Sequence, residues 1–204
     1  MLPTVQPRIG VLALQGDFAL HRKTLARLGA PSVEVRKASG LPGLDGLIIP
    51  GGESSTMLKL LKEEDFFDPI LDFHRAGGAL YGTCAGAILL ASEVENPAQD
   101  SFGLLDVRIR RNGYGRQIDS HLGEIPCPAL GEPPLPLVMI RGPVITAVGP
   151  DVRVLASWRG HAALVQQGRV LASTFHPELT EDTRVHAWFL REVAGSGTNS
   201  RGNR

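Results

Sequence analysis

The sequence predicts a three-layer α/β fold: a mixed sheet with helices on both faces and antiparallel hairpins in its second half. Three observations carry that prediction. In the first half, short apolar runs alternate with helical patterns, as a parallel sheet covered on both faces requires. In the second half, short strand-like segments separated by turn residues take over. The chain has 204 residues and no internal repeat, which suits one domain with a full core.

Taken in order, residues 9–14 of RIGVLALQGD form a short buried strand that ends at Gln15-Gly16. Asp17 stands where it would cap a helix carrying Phe18, Leu25 and Leu28, which stops near Gly29. SVEVRKA alternates as a second strand would. LDGLIIPGGESSTMLKLL reads as a strand over 47–49, a Pro-Gly-Gly turn, and a helix from Ser54. A helix follows over 66–76, then the strand GALYGTC, then a helix opening at Ala85. LDVRIRRN, GRQIDSHLGEI, PLVMIRG, VITAVG, VRVLASW, HAALVQQ and RVLASTF are strand-like and expected to form hairpins attached to the parallel sheet. The last helix covers 181–193, with Val185, Trp188, Phe189 and Val193 on one face. The proline-rich CPALGEPPLPL is a loop, because neither half of the chain completes a sheet by itself. Residues 1–194 are therefore expected to form a single domain. The Gly/Ser/Asn-rich 195–204 is expected to be a disordered tail.

Composition excludes several function classes. Hydrophobic residues make up 43% and charged residues 21%, a globular balance. Lys plus Arg equals Asp plus Glu at 21 each, so no net charge draws the chain to nucleic acid or to an anionic membrane. Cys84 and Cys127 cannot build a disulfide framework and lack zinc spacing, so a reducing cytoplasm is expected and no metal is implied. The start MLPTVQPRIG lacks the pattern of a secretory signal, and no apolar run approaches the ~18 residues of a membrane span. The sharpest basic cluster is Arg108, Arg110, Arg111 and Arg116.

Three motifs carry chemistry. In ALYGTCAGAILLAS, Cys84 sits at a strand–helix junction among the smallest side chains. A helix N-terminus favours the thiolate, and a sharp turn needs Gly82, Ala85 and Gly86 to relieve crowding. A buried structural cysteine is the competing reading. In TFHPELT, His176 and Glu178 stand two apart, so in extended backbone they face the same way. The carboxylate can then orient the imidazole, and the imidazole can take and return a proton. A surface loop with incidental His and Glu is the alternative. In IIPGGESSTM, a Gly-Gly turn after a strand exposes backbone N–H groups at the sheet edge, suited to an oxyanion hole or to a phosphate.

P-G-G-E-S, G-T-C-A-G and F-H-P-E, in this order, resemble the class I (triad) glutamine amidotransferases. VLALQGDF, RRNGYGRQIDS and FHPELTEDTRVH narrow the resemblance to the glutaminase subunit of the pyridoxal 5′-phosphate synthase complex, over about residues 9–190. The resemblance implies a flavodoxin-like sheet and hydrolysis of glutamine to glutamate and ammonia through a cysteine thioester. It implies Cys84 as nucleophile, His176 as general base and acid, and Glu178 as its orienting partner. Backbone N–H groups near Gly52 and Ala85 would form the oxyanion hole. Glutamine would lie against Gly52, Glu53, Ser54, Arg111, Ile140 and Arg141. Arg111 or Arg141 could hold the α-carboxylate, and Glu53 or backbone the α-amino group. No metal or organic cofactor is implied for this half-reaction. The implied partner is a separate synthase subunit that takes the ammonia to build pyridoxal 5′-phosphate, and glutaminases of this type commonly stay weak until it docks. A glutaminase serving another acceptor, or a cysteine hydrolase of similar fold, are the rivals. The chain departs from the family pattern at Gly113, where alanine is expected and where glycine would loosen the loop bearing Arg111. It departs again at His121, where an aromatic or acidic residue is expected. Cys127 reads as structural, and His21, His74, His161 and His186 as surface or packing residues.

Overall fold

The computed structural model describes residues 6–113 and 120–195. Arg116, most of the YGRQIDS stretch and the expected tail beyond 195 lie outside the described residues. β1 (Ile9–Leu12) leads to α1 (Phe18–Arg27), β2 (Ser32–Val35), β3 (Gly46–Ile49), α2 (Ser54–Glu63), α3 (Phe67–Arg75), β4 (Ala79–Thr83) and α4 (Ala85–Leu90). β5 (Ala91–Glu95), β6 (Leu105–Arg110), β7 (Ser120–Ile125), β8 (Leu135–Ile140), β9 (Val144–Val148), β10 (Arg153–Trp158), β11 (His161–Gln167) and β12 (Val170–Ser173) follow. The chain then enters α5 (Arg184–Trp188), which continues as a π-helix over Phe189–Ala194.

The central sheet runs β10-β11-β12-β4-β3-β1-β2. β2, β1, β3, β4 and β12 are mutually parallel, and β10 and β11 extend the sheet antiparallel. The inner parallel strands β1, β3, β4 and β12 are buried on both faces, so their residues alternate between two cores, whereas the edge strand β2 leaves Val33 and Glu34 exposed. Leu47, Ile49, Leu80, Val170 and Ala172 pack with Met57 and Leu61 of α2, Ile70 of α3 and Leu89 of α4. Ile48, Tyr81 and Leu171 pack the other way, with Leu25 of α1, Val185 and Trp188 of α5, and Phe189 and Val193 beyond it. The three expected layers are therefore present, and the apolar face expected for the last helix is buried.

The second half divides more than expected. Only β10, β11 and β12 join the central sheet. β5, β6 and β9 form their own sheet, in which β5 and β6 are parallel, and β7 and β8 form a separate hairpin. The helix opening at Ala85 stops after Leu90, and the chain passes straight into β5. All six α4 residues are buried, whereas Ser92 and Glu93 turn to solvent. The apolar run Ala85–Leu90 thus ends where the mixed polar and apolar Ala91–Glu95 begins.

The basic cluster also divides. β6 alternates buried and exposed residues, with Arg108 and Arg110 outward. Arg108 Nε meets Glu93 Oε2 at 2.8 Å, and Arg110 Nε lies 3.8 Å from Glu95 Oε2, both across the parallel pairing with β5. These two arginines lace a surface sheet. Arg111, one residue past the strand, turns instead toward the edge where the central strands end.

Candidate active site

The C-terminal ends of β1, β3, β4 and β12 lie side by side, because these strands are parallel neighbours. Each delivers one part of the site. β4 delivers Cys84, at φ 49° and ψ −100°. Such backbone is costly for any residue with a side chain and persists only where its surroundings enforce it. Here the Cys84 N–H donates to Ser173 O of β12 at 2.8 Å, and Cys84 O accepts from Ile88 N at 3.1 Å. The elbow brings α4 against its own strand. A methyl group on Gly82 would stand 2.5 Å from the Gly86 backbone, and one on Gly86 would collide with Ile49 O. The glycines flanking the cysteine thus answer to close backbone approach, as the nucleophile-elbow reading expects.

β12 delivers His176 and Glu178. Both are buried, and His176 Nδ1 lies 2.8 Å from Glu178 Oε1. The expectation of extended backbone is corrected here, because Pro177–Leu179 is a 3-10 turn. The pair meets through the tight turn. Burial by itself would lower the His176 pKa, but hydrogen bonding with Cys84 and Glu178 and their charges outweigh it and raise it to about 10. Burial would raise Glu178, but the field of His21 and the bond and charge of His176 hold it at about 2. An imidazole held between a cysteine sulfur and a carboxylate, and made more basic by both, is placed to take the thiol proton and keep it.

β3 delivers the Pro-Gly-Gly turn. Gly51 passes so close to the His176 ring that any side chain there would collide with Cε1. Gly52 has φ 148°, and Glu53 caps α2 by accepting from Thr56 N at 2.7 Å. Burial would raise the Glu53 carboxyl, but backbone N–H groups of Thr56 and Ser55 hold it below the usual range. From β1, the Gln15 side-chain amide accepts from Glu53 N at 2.9 Å and donates to Glu53 O at 3.1 Å, clamping the turn.

A cleft of about 370 Å³ opens on these parts. Gly52, Glu53, Ser54, Arg111, Ile140 and Arg141 line it together with Cys84 and His176. Every residue expected to contact substrate therefore shares one cavity, and Ala85 follows Cys84 at the start of α4. Arg111 is engaged, with Nη2 3.0 Å from Glu53 Oε1 and 2.8 Å from Ser55 Oγ. Among the described residues the Arg141 side chain makes no hydrogen bond or ion pair, and its backbone takes φ 42°.

Several readings are corrected. Asp17 occupies the N-cap position of α1, but its side chain makes no capping bond and lines the cleft instead. Gly113 does not simply loosen its loop. A methyl group there would sit 2.5 Å from Val144 Cγ2 and 2.6 Å from its Cβ, so glycine is what the local packing accepts. His121 stacks near Trp158, ring centres 4.9 Å apart. Cys127 is buried and donates to Leu155 O at 3.4 Å. His21 and His186 are not surface residues. Both are fully buried, directly behind the His176–Glu178 pair. Their burial had a signal: His21 shares a helix face with Thr24 and Leu25, and His186 with Phe189.

Known proteins resemble this chain in sequence and in fold. The sequence pattern of the SNO glutamine amidotransferase family matches residues 11–195. Pyridoxal 5′-phosphate synthase subunit PdxT of Deinococcus radiodurans is 56% identical over 187 residues, covering 89% of this chain and 95% of that one. The protein of the same name from Solibacter usitatus is 52% identical, covering 91% and 99%. A crystal structure of a glutamine amidotransferase superposes with a TM-score of 0.86 at 48% identity, covering 92% of this chain and 98% of that one. PurLQS from Thermotoga maritima shares the fold at 18% identity, with a TM-score of 0.69. With the family pattern matched over residues 11–195 and relatives more than half identical covered almost end to end, the chain belongs to the SNO glutamine amidotransferase family.

Proposed function

We infer that this chain hydrolyses glutamine to glutamate and ammonia and delivers the ammonia to a separate synthase subunit that makes pyridoxal 5′-phosphate. One observation carries the chemistry. A strained Cys84 and a charged His176–Glu178 pair meet at the floor of one cleft.

In this reading His176 takes the Cys84 thiol proton, and the resulting thiolate attacks the side-chain amide carbon of glutamine. Backbone N–H groups near Gly52 and Ala85 receive the oxyanion. His176 gives its proton to the departing nitrogen, and the C–N bond breaks to leave a γ-glutamyl thioester and ammonia. Water, deprotonated by His176, then breaks the C–S bond and restores the thiol group. Arg141, whose guanidinium is uncommitted among the described residues, is the better holder of the substrate α-carboxylate, because Arg111 is already paired with Glu53. Ile140 closes the cleft wall beside it, and Ser54 stands at the first turn of α2.

The acceptor assignment rests on the relatives, which are synthase subunits covered almost end to end. Residues 1–194 are read as one glutaminase domain, since both cores pack on a single sheet. A cytoplasmic setting is supported by two unpaired cysteines, and no helix among the described residues is long and apolar enough to cross a membrane.

The test is glutamate release from glutamine, with and without the synthase subunit, for wild type and Cys84→Ala. Release that rises with the partner and vanishes in the variant is expected. Release indifferent to the partner would retain the glutaminase and remove the acceptor assignment. No release in either condition would overturn the reading.

A further inference from the structure

Glu178 is a buried carboxylate with an incomplete set of donors. His176 serves Oε1, and Oε2 has no hydrogen-bond partner among the described residues. An anion so far from water needs further compensation. It comes from the side away from the cleft. His21 Nε2 of α1 stands 3.6 Å from Glu178 Oε1 and 3.2 Å from Thr83 Oγ1, and Thr83 Oγ1 lies 3.5 Å from the same carboxylate oxygen. On its other edge, His21 Nδ1 lies 2.9 Å from His186 Nε2.

We propose that His21 and His186 form a neutral, one-directional donor chain, ending on Thr83 and Glu178, that positions the Glu178 carboxylate against His176. The inference rests on the proposed role of Glu178 as partner of the catalytic imidazole.

The direction follows from elementary electrostatics. Both rings are fully buried, among Tyr81, Glu178, His176 and Asp17. Burial lowers both pKa values, that of His186 to about 3, so each ring carries a single N–H. Two neutral rings joined by one N···N bond have two proton arrangements. One turns the His21 Nε2 lone pair toward the carboxylate, which repels it. The other turns an N–H toward Thr83 and Glu178, which attracts it. The carboxylate selects the second. His21 Nδ1 must then accept, so His186 Nε2 must donate, and His186 Nδ1 is left as a bare lone pair. Of the four nitrogens of the two rings, that atom is the one with no hydrogen-bond partner among the described residues. A buried acceptor left unpaired is more common in proteins than a buried N–H left unpaired. The chain thus ties α5, α1 and the end of β4, one residue before Cys84, to the turn that holds Glu178. His21 is neutral, so it acts on Glu178 through its N–H dipole. No proton travels along the chain.

Two measurements test this. Long-range proton–nitrogen correlation spectra of the wild-type chain, from about pH 5.5 to 8, report the ring tautomers directly. Both His21 and His186 are expected to hold their proton on Nε2 throughout. A proton on Nδ1 of either ring, or a titration in that window, overturns the proposal. In the complex with the synthase subunit, His21→Leu is expected to lower kcat for glutamine hydrolysis about tenfold, a fraction of what an acid–base group supplies, with KM within about twofold. His21→Gln, whose amide can place an N–H near the lost Nε2, is expected to recover most of that loss. A folded His21→Leu with wild-type kcat, or a His21→Gln as slow as His21→Leu, overturns the proposal. A wild-type chain that releases no glutamate would instead sink the glutaminase reading, and the spectra would still decide this one. They also decide it if His21→Leu fails to fold.

Discussion

Acid should destabilise this protein in a pH range where most proteins lose little, and the buried His186 contributes directly to the effect. Its pKa falls from 6.5 to about 3 because burial disfavours the charged ring. The unfolded chain therefore binds a proton below about pH 6.5 that the folded chain refuses. The stability that the neutral ring contributes is complete above 6.5 and is lost as pH falls toward the folded value. Two pH units at roughly 1.4 kcal/mol each give about 3 kcal/mol lost by pH 4.5. His21 shifts in the same direction and adds to the loss. His176 has the opposite sign. Its pKa is raised, so its contribution is full below 6.5 and disappears only as pH rises toward about 10. Glu178, held at about 2, begins to lose its contribution only below about 4.5. The window from 6.5 to 4.5 therefore isolates the buried histidine pair. The assay is urea unfolding of wild type and His186→Leu at about pH 7, 5.5 and 4.5. With a slope of roughly 1–3 kcal/mol per molar urea, the gap between the two midpoints should change by about 1–3 M across the window. Wild type falls more steeply, and the variant closes on it. Parallel curves would refute the reasoning, because they would mean His186 binds a proton equally in both states.

Other substitutions probe the site from different sides. Gly86→Ala should cost about 1–3 kcal/mol, read as a thermal midpoint several degrees lower, since its methyl group would collide with Ile49 O; an unchanged midpoint would show that the elbow has slack. Arg141→Ala should raise KM for glutamine about 10–100-fold with little change in kcat, the loss of one charged pair, measured by steady-state glutamate release. If KM moves with Arg111→Ala and not with Arg141→Ala, the two arginines exchange roles. Glu178→Gln keeps the shape of the side chain and removes its charge, and kcat should fall about 10²-fold; a variant at wild-type rate would remove Glu178 from the mechanism. Glu53→Ala removes the cap of α2 and should cost about 1 kcal/mol in urea unfolding.

Much of this architecture was legible in the residue pattern, for specific reasons. The inner parallel strands are buried on both faces and read as short apolar runs, whereas the edge strand β2 alternates. β6 alternates cleanly because one face is not buried, and the residue pattern shows both. The Pro-Gly-Gly turn, the elbow cysteine and the His-Pro-Glu pair are local signals, since backbone crowding and two-residue spacing act within a few positions. Less local matters were misjudged. The residue pattern marks no end for the helix opening at Ala85, and in the structure it gives way after Leu90 to β5, a strand in a sheet whose partners lie elsewhere along the chain. Four arginines close in sequence look like one cluster, yet strand alternation sends Arg108 and Arg110 to Glu93 and Glu95 and leaves Arg111 to the cleft.

By itself, the sequence pointed to the layers, to the family, and to Cys84 and His176 as candidates for nucleophile and base. Each motif that carries these readings is a run of residues near one another along the chain. Only the tertiary structure decided how the parts meet. The ends of β1, β3, β4 and β12 are neighbours because the sheet order places them so, and that brings Gln15, Gly51, Cys84 and His176 into one small volume. His21 and His186 are 165 positions apart, and no local pattern links them. They become partners because α1 and α5 cover the same face of the sheet. There, two helices that pack apolar residues against the strands also enclose a polar pair beside Thr83 and the Glu178 carboxylate.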